Sequence, residues 1–268
     1  MMSLWDRVLE RPEPDGHLVQ FYDSDGSLGQ SAGRFLFRGF AQSDGLMVIA
    51  DAWHRELLRD YLEDMRVDTV SAEERGQLLF LDARRTLDSF MRHGQPVWTL
   101  FKAAIGNSMA LVRPRAETGG LRAYGEMVGL LWDAGQYMAA VRLEQYWNKL
   151  LGDASVSLFC GYRLDVLGPQ FQTSQVDALL CQHTHVVPGT GSNLEPSIRH
   201  AVEDILGRGA LDLDNLLEDQ HRSWAVMPRG EALVLALRKE LPAHADDILA
   251  RARLIHHAAR QRPSVLVM

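Results

Sequence analysis

The sequence predicts an α/β fold in three α/β/α layers, with a mostly parallel sheet, followed by a small all-helical C-terminal subdomain. Short apolar runs of strand length alternate with longer segments of helical periodicity as far as residue 187. From residue 197 onward the chain shows helical patterns and no strand-like run. Because strands that alternate with helices form parallel sheets covered on both faces, the sheet is placed in the first part of the chain.

Six apolar runs are candidates for the strands, and each is flanked by Gly, Asp or Ser. They span residues 18–22, 45–50, 77–82, 121–127, 155–162 and 183–187. The segments between them predict helices at 27–42, 54–66, 84–112, 128–151 and 170–182. The periodicity is clearest in the second of these helices, where Leu58, Leu62 and Met65 lie three or four positions apart.

The sequence divides into three segments. Residues 1–16 hold two prolines and a glycine among charges, which predicts an extended leader, and residues 17–190 form the α/β domain. The turn-forming stretch 188–196 predicts a domain boundary before the helical subdomain at 197–268. Four short helices are predicted in this tail, at 197–207, 212–222, 228–241 and 244–261.

Composition excludes several classes of protein. The formal net charge is −7, and 28 basic residues are scattered among 35 acidic ones, which argues against a nucleic-acid-binding surface. Two cysteines do not make a disulfide framework, the first residues lack the apolar stretch of a signal peptide, and no apolar run approaches the roughly 20 residues that cross a bilayer. We therefore expect a cytoplasmic protein without nucleic-acid or membrane contacts.

The segment after the first strand is similar to a degenerate phosphate-binding loop. The residues of this candidate loop are Ser24, Gly26, Gly29, Gln30 and Ser31. Ser24 replaces the first glycine of the motif and Gln30 replaces the lysine that balances the phosphate charge, so only backbone donors remain. An acidic turn in which Asp25 or Ser27 caps the next helix is the alternative.

Two places in the sequence carry residue types that bind metal ions. Asp82 ends the third apolar run, where an aspartate holds Mg²⁺ in nucleotide-binding folds, and a cap for the helix near Arg84 is the alternative. Cys181, His183 and His185 are metal-binding residue types, but their spacing fits no standard site and further ligands are not identifiable. No metal and no cofactor is predicted.

Polar and aromatic side chains at the ends of apolar runs are candidates for ligand binding, because ligands bind at strand ends in open α/β sheets. His17 and Tyr22 lie on the first strand. Arg122 and Glu126 project to one face of the fourth strand, and a buried Glu126 needs a partner, for which Arg122 is the nearest candidate. The alternative role for Glu126 is to cap the following helix.

The helix and strand that follow add four candidates. Trp132 and Glu144 lie in an aromatic-rich helical segment, where Glu144 shares a face with Asn148, although aromatic stripes are also typical of core helices. Cys160 and Tyr162 lie on the fifth strand, where an apolar environment makes a thiol inert. The sequence shows no convincing nucleophile or pair of carboxylates, so no catalytic residue is predicted.

These residues, taken in order, resemble a known family. The matching pieces are His17-x-x-x-Phe21-Tyr22, Gly45 to Asp51, Gly76 to Asp82, Leu121-Arg122-x-x-Gly125-Glu126-Met127, Glu144-x-x-x-Asn148-x-Leu150-Leu151 and Phe159-Cys160-x-Tyr162. Their order and spacing are similar to the MEDS domain, a sensory domain named after methanogens, methylotrophs and the dichloromethane regulator DcmR. The resemblance covers roughly residues 15 to 187 and leaves the helical tail unexplained.

The resemblance implies a RecA-like fold without a functional phosphate-binding lysine, used to sense small organic molecules in transcriptional or two-component regulation. By family position, His17, Tyr22, Arg122, Glu126 and Tyr162 would line or support the site. Family members often carry a helix-turn-helix or histidine-kinase module, and neither is visible in this tail. Output is therefore expected to pass through the tail itself or through a partner such as a kinase, a response regulator or a transcription factor.

The leading hypothesis is a non-enzymatic sensor. An apolar pocket edged by His17, Arg122 and Glu126 binds a small metabolite and changes how the helical tail meets another protein. One alternative is a degenerate RecA-like nucleotide-binding protein or ATPase, and another is a scaffold that acts through the tail. Whether the chain forms a homodimer, through the sheet edge or the tail, is left open.

Overall fold

The computed structural model describes residues 3–112, 120–152, 156–171, 173–189, 193–218 and 225–261. Six strands form one parallel sheet: β1 (His17–Tyr22), β2 (Gly45–Ala50), β3 (Leu78–Asp82), β6 (Leu121–Gly125), β7 (Val156–Arg163) and β8 (His185–Val187). Two-residue strands β4 (Met91–Arg92) and β5 (Gln95–Pro96) form a separate antiparallel hairpin. The strand order β3-β2-β6-β7-β1-β8 confirms the predicted α/β class with a mostly parallel sheet.

Helices connect the strands and cover both faces of the sheet. They are α1 (Leu4–Glu10), α2 (Asp25–Ala41), α3 (Ala52–Asp64), α4 (Thr69–Glu74), α5 (Ala83–Phe90), α6 (Trp98–Val112), α7 (Met127–Asp133), α8 (Tyr137–Leu151) and α9 (Thr173–Leu180). The C-terminal region adds α10 (Glu195–Leu206), α11 (Leu213–Glu218), α12 (Arg229–Glu240) and α13 (Pro242–Gln261). The helical C-terminal region is confirmed as predicted.

The two faces of the sheet bury different residues of the same strands. Tyr22 and Tyr124 belong to the core beneath α2 and α3, whereas Phe21, Cys160 and Tyr162 belong to the core beneath α8 and α9. Successive side chains of a strand point to opposite faces, so this division follows directly from the β-strand repeat. It also separates the candidate site residues into two groups.

The first residues are not an extended leader, because residues 4–10 form α1. Ser3 caps this helix: its Oγ accepts a hydrogen bond from the Asp6 amide at 3.1 Å, and the Asp6 side chain accepts one from the Ser3 amide at 3.1 Å. Val8 and Leu9 are buried against the core of α2. The capping box Ser3-x-x-Asp6 is the sequence signal that predicts this helix start.

Two long predicted helices are each interrupted. The segment 84–112 is divided by the β4–β5 hairpin, in which His93 and Gly94 have φ values of +50° and +72°. The segment 128–151 is divided between α7 and α8 at Gly135, which has a φ of +71°. Apolar periodicity continues across these turns because both flanking helices face the same core, so the pattern alone does not show the breaks.

The helical tail packs directly on the sheet domain. Ile198, Leu237 and Ile248 join the same hydrophobic core as Leu179. Val226 extends the sheet beyond β8, since its amide donates to Thr184 O and its carbonyl accepts from the Val186 amide, both at 2.8 Å.

Some predictions lie partly outside the described residues. These are residue 155 of the fifth predicted strand, residue 172 of the fifth predicted helix, residues 190–192 of the predicted boundary, residues 219–222 of the second predicted tail helix, and residues 1–2 and 262–268 at the two ends. Within the described ranges, no helix combines the length and the apolar character needed to cross a membrane.

Candidate functional site

The predicted ligand residues lie in separate places rather than around one pocket. We call His17, Glu144, Asn148, Cys160, Tyr162 and His183 the buried cluster; it lies beneath α8. We call Tyr22, Asp25, Asp51, His54, Tyr124 and Glu126 the edge cluster; it lies at the carboxyl edge of the sheet. His17 and Tyr22 begin and end β1, so the length of that strand separates the two clusters.

The buried cluster is built from four parts of the chain. His17 begins β1, and Cys160 and Tyr162 lie on the neighbouring strand β7. Glu144 comes from α8, and His183 lies between α9 and β8. Relative exposure is 1% or less for these residues except His183, at 6%, so the side chains around Glu144 are sealed from solvent, whereas Asn148 is partly exposed.

The carboxylate of Glu144 is at the centre of the buried cluster. Its Oε2 lies 3.2 Å from His17 Nε2, and its Oε1 lies 3.3 Å from His183 Nε2. Tyr162 donates its hydroxyl proton to Oε1 at 2.6 Å, and the Cys160 thiol donates to Oε2 at 3.6 Å. His17 Nε2 also lies 3.4 Å from Cys160 Sγ.

The two imidazoles of the buried cluster are held by their other nitrogen. Asn148 donates through Nδ2 to both oxygens of Gln182, so its Oδ1 accepts from His17 Nδ1 at 2.8 Å. His183 Nδ1 donates to the carbonyl of Leu179 at 2.9 Å. Nδ1 of both rings therefore carries a proton, and Nε2 of both rings faces Glu144.

Burial and charge set the protonation of the buried cluster. Burial alone would raise the pKa of Glu144, but the charges of His183 and His17 outweigh burial and lower this pKa. Burial, followed by the charge of Glu144, raises the pKa values of Cys160 and Tyr162 well above their usual range. Glu144 is therefore ionised at neutral pH, and the thiol and the phenol donate to it.

The edge cluster lies between the carboxyl ends of β2 and β6. Glu126 follows β6 directly, and His54 lies in the first turn of α3, after β2. His54 Nδ1 lies 2.6 Å from Glu126 Oε1, which also accepts from the Tyr124 hydroxyl at 2.7 Å. From β2 the chain continues toward β3, and from β6 it continues toward β7 on the other side. Ligands bind at such a switch point in open α/β sheets.

His54 is surrounded by acidic residues. Its Nε2 lies 3.3 Å from Asp25 Oδ1, and the ring of Tyr22 is edge-on to it at 6.0 Å. Burial would lower the pKa of His54, but the hydrogen bond and charge of Glu126, together with Asp51, raise it to about 9. Sequence reasoning missed His54, although Asp51-x-x-His54 directly after a strand was the available signal.

The edge cluster is expected to make the fold less stable at alkaline pH. An imidazole with a folded-state pKa of about 9 and an unfolded value near 6.5 stabilises the fold fully below about pH 6.5 and loses this contribution as pH rises through about 9. We expect a loss of about 2–3 kcal/mol, measured by urea unfolding between pH 6 and pH 10. His54→Gln should remove this part of the pH dependence, whereas the exposed His200→Gln should keep it; equal profiles for both variants would contradict the assignment.

Arg122 contacts neither cluster. It lies at the amino end of β6, where its guanidinium donates to the carbonyls of Leu9, Glu10 and Phe35 at 3.0–3.1 Å. It also pairs with Asp44 at 3.1 Å. The predicted Arg122–Glu126 pair is wrong, because two residues four apart on a strand are separated by about 13 Å.

The remaining candidates occupy supporting positions. Trp132 is buried on α7, with its ring perpendicular to Tyr162 at 5.7 Å. Glu144 and Asn148 share a helix face as predicted, since both contact His17. Asp82 caps α5 by accepting a hydrogen bond from the Arg85 amide at 2.9 Å, as the helix-cap alternative predicts.

The candidate phosphate loop is helical. Gly26, Gly29, Gln30 and Ser31 lie in the first turns of α2, which begins at Asp25, and Ser24 occupies the N-cap position. Two residues separate β1 from α2, so the chain has no room for a phosphate-cradling loop. Neither Asp25 nor Ser27 is the cap; Ser27 donates its hydroxyl proton to the Ser24 carbonyl at 2.9 Å.

A cavity of about 840 Å³ lies where α1, α2 and the helical tail meet; we call it the cleft. Its apolar lining includes Trp5, Tyr61 and Met227, and its polar lining includes Gln30 and Glu231. Burial raises the pKa of Glu231 to about 7, although the backbone amides of Gly189 and Glu231 donate to its carboxylate. None of the predicted ligand residues lines this cleft, except Gln30 and Ser31 of the candidate loop.

Comparison with known proteins places the chain in one family. The sequence model of the MEthanogen/methylotroph, DcmR Sensory domain, abbreviated MEDS, matches residues 16–184. No curated protein and no solved structure matches the chain. The family match begins just before β1 and ends just before β8, so it includes both clusters and covers more than half of the chain. The protein therefore belongs to the MEDS family of sensory domains.

Proposed function

We propose that this protein is a non-enzymatic sensor that binds a small organic molecule in the cleft and relays its occupancy to a regulatory protein through the helical tail. The observation that carries this proposal is that one cavity is lined by both the sensory domain and the tail. Its volume of about 840 Å³ falls within the range of small-molecule sites, roughly 300–1,000 Å³.

The lining of the cleft favours a mostly apolar, uncharged ligand. Arg34 and Arg229 border it, but both guanidiniums are engaged: Arg34 pairs with Glu10 at 2.6 Å, and Arg229 pairs with Glu195 at 3.0 Å. An anionic ligand would have to break these ion pairs. Glu231, with its pKa near neutrality, offers an acceptor or a donor to an alcohol, a ketone or an amine.

The tail is placed to transmit occupancy. Glu231 lies in the first turn of α12, and α12 packs against α10 and α13. Ile205 and Leu254, on those two helices, are exposed apolar side chains that a partner could cover. A ligand that prefers one arrangement of α12 shifts the tail by its difference in affinity, typically 1–3 kcal/mol. We also propose that the protein is located in the cytoplasm.

The nucleotide-binding alternative has less support. The first turn of α2 carries Asp25, which disfavours phosphate at this helix start, and Gln30 stands where a lysine would balance the charge. The strand order, with β1 between β7 and β8, supports a RecA-like arrangement as part of the proposal for the fold. We therefore infer that the protein has a RecA-like sheet but binds no nucleotide.

A thermal-shift screen of small ketones, alcohols, haloalkanes and carboxylates tests the cleft. At 100 times its dissociation constant, a ligand stabilises the folded state by about 2.7 kcal/mol, so at least one compound should raise the Tm of the wild type measurably. Gln30→Trp fills the cleft from an exposed position on α2 and should abolish this shift. Gln145→Trp, at an exposed position of α8, should retain it.

Two outcomes of the screen would count against the proposal. If no compound stabilises the wild type at saturating concentration, the cleft is not a binding site for these classes. If a compound stabilises Gln30→Trp as much as the wild type, the binding site lies elsewhere in the protein, and the edge cluster is the next place to search.

A further inference from the structure

The buried cluster brings four metal-binding atoms together. His17 Nε2, Cys160 Sγ, His183 Nε2 and a carboxylate oxygen of Glu144 all lie within 4.8 Å of one another. His17 Nε2 lies 3.2 Å from Glu144 Oε2 and 3.4 Å from Cys160 Sγ, and His183 Nε2 lies 3.3 Å from Glu144 Oε1. Bonds of 2.0–2.3 Å to zinc give a tetrahedron with edges of about 3.3–3.8 Å. The separations between the four groups are therefore compatible with a tetrahedral zinc site that uses one oxygen of the Glu144 carboxylate.

The orientation of the two imidazoles is that of metal ligands. Metal-bound histidines donate their other ring N–H to a carbonyl or carboxylate, which fixes the ring and the tautomer. His17 does so to the Asn148 side chain and His183 to the Leu179 carbonyl. The Nε2 atoms of both rings thereby face the Glu144 carboxylate, His17 at Oε2 and His183 at Oε1.

Protons satisfy this arrangement less well than a metal ion does. His183 Nε2 is a buried nitrogen without a hydrogen-bond partner. One proton shared by His17 and Glu144 leaves the His183 lone pair facing a carboxylate oxygen at 3.3 Å. Protons on both rings leave a net positive charge in a sealed site, which is costly.

A divalent cation balances the charges of the cluster. Glu144 supplies one negative charge, and the Cys160 thiol supplies a second when it loses its proton to solvent on metal binding. With a divalent ion and two neutral imidazoles, the net charge of the site is zero, and a buried site without net charge avoids the cost of desolvating an unpaired charge. A thiolate with two imidazoles and a carboxylate suits zinc, whereas Mg²⁺ and Ca²⁺ prefer oxygen ligands.

We propose that His17, Glu144, Cys160 and His183 bind one Zn²⁺ ion. Four protein ligands leave no open coordination position, so the site is structural. The ion joins β1, β7 and α8 to the loop before β8. Strand β8 in turn pairs with Val226 of the tail. This site is independent of ligand binding in the cleft.

Metal analysis of the protein purified without a polyhistidine tag tests the proposal. The wild type should contain about one zinc ion per chain, and the double variant Cys160→Ser/His183→Gln should contain almost none. The control is Cys181→Ser/His185→Gln, which changes the same residue types outside the cluster and should keep the zinc. Circular dichroism checks that the variants are folded.

A cobalt spectrum tests the same proposal without disturbing the cluster. Cys181→Ser changes an exposed residue and leaves Cys160 as the one thiol of the chain. Replacing zinc with Co²⁺ in this variant should give a near-ultraviolet thiolate-to-cobalt charge-transfer band and the visible bands of tetrahedral cobalt. Absence of metal in the wild type after refolding with zinc, absence of the thiolate band, or equal zinc content in both double variants would each overturn the assignment.

Discussion

Replacing Arg122 with methionine is expected to lower the free energy of unfolding by about 3–5 kcal/mol, the cost of breaking a buried ion pair from one side. The guanidinium is 3% exposed and joins β6 to the carbonyls of Leu9 and Phe35. Methionine fills a similar volume, but it removes one hydrogen-bond donor from each of those carbonyls and the guanidinium charge that pairs with the Asp44 carboxylate. Urea unfolding monitored by circular dichroism measures the change.

The control for this prediction is Arg208→Met. Arg208 is 91% exposed and lies 3.7 Å from Glu203, so its loss should change the free energy of unfolding by less than about 0.5 kcal/mol. A loss below about 1 kcal/mol for Arg122→Met would show that Arg122 does not hold α1 and α2 to the sheet. A normal stability would also reopen a binding role for Arg122.

Glu144→Gln is the second substitution with a large expected effect, a loss of about 3 kcal/mol in the free energy of unfolding. The amide removes the charge opposite His17 and His183, and one of its NH₂ or C=O groups must face a mismatched partner. Tyr162 and Cys160 also lose a charged acceptor. Chemical denaturation measures the change.

The matched control for the second substitution is Glu203→Gln. Glu203 is 53% exposed and its contact with Arg208 is on the surface, so the change should be near zero. If Glu144→Gln were as stable as the wild type, the carboxylate could not be the ionised centre of the buried cluster. Its negative charge would then be absent from the folded protein.

The fold was predictable because it depends on local patterns. The apolar runs that predict β1, β2 and β3 are strands within one residue of their expected bounds. The shared helix face of Glu144 and Asn148 was also predictable, because residues one helical turn apart lie on the same face. Residues 4–10 form a helix that the sequence analysis did not predict, because the prolines and charges of residues 1–16 outweighed the capping box at Ser3. The turns that interrupt the predicted helices at 84–112 and 128–151 were not predicted either.

The arrangement of the site depends on contacts that no local pattern describes. The sequence places His183 beside Cys181 and His185, whereas the structure places it beside His17, Glu144 and Cys160, which come from distant segments. Arg122 and Glu126 were predicted to pair because they project to the same face of a strand, but that argument ignored the distance between them along the strand. The cleft unites an N-terminal helix with the tail, so it becomes visible only after the tail is packed on the sheet.

This packing also decides how the tail should be tested. Ile198 and Leu237 share a core with Leu179 of the sheet domain, so deletion of residues 197–268 would expose that core and destabilise the remaining protein. Substitution of the exposed Ile205 and Leu254 by polar residues leaves the core intact and is the better test of partner binding.

The most direct measurement of the central claim is crystallographic solvent mapping. Crystals soaked in acetone, 2-propanol and dichloromethane show where small organic molecules bind. Density for at least one of them in the cleft, in contact with Trp5, Tyr61 or Met227, is the predicted result. Organic molecules bound beside Glu126 and His54, with the cleft holding water alone, would contradict it.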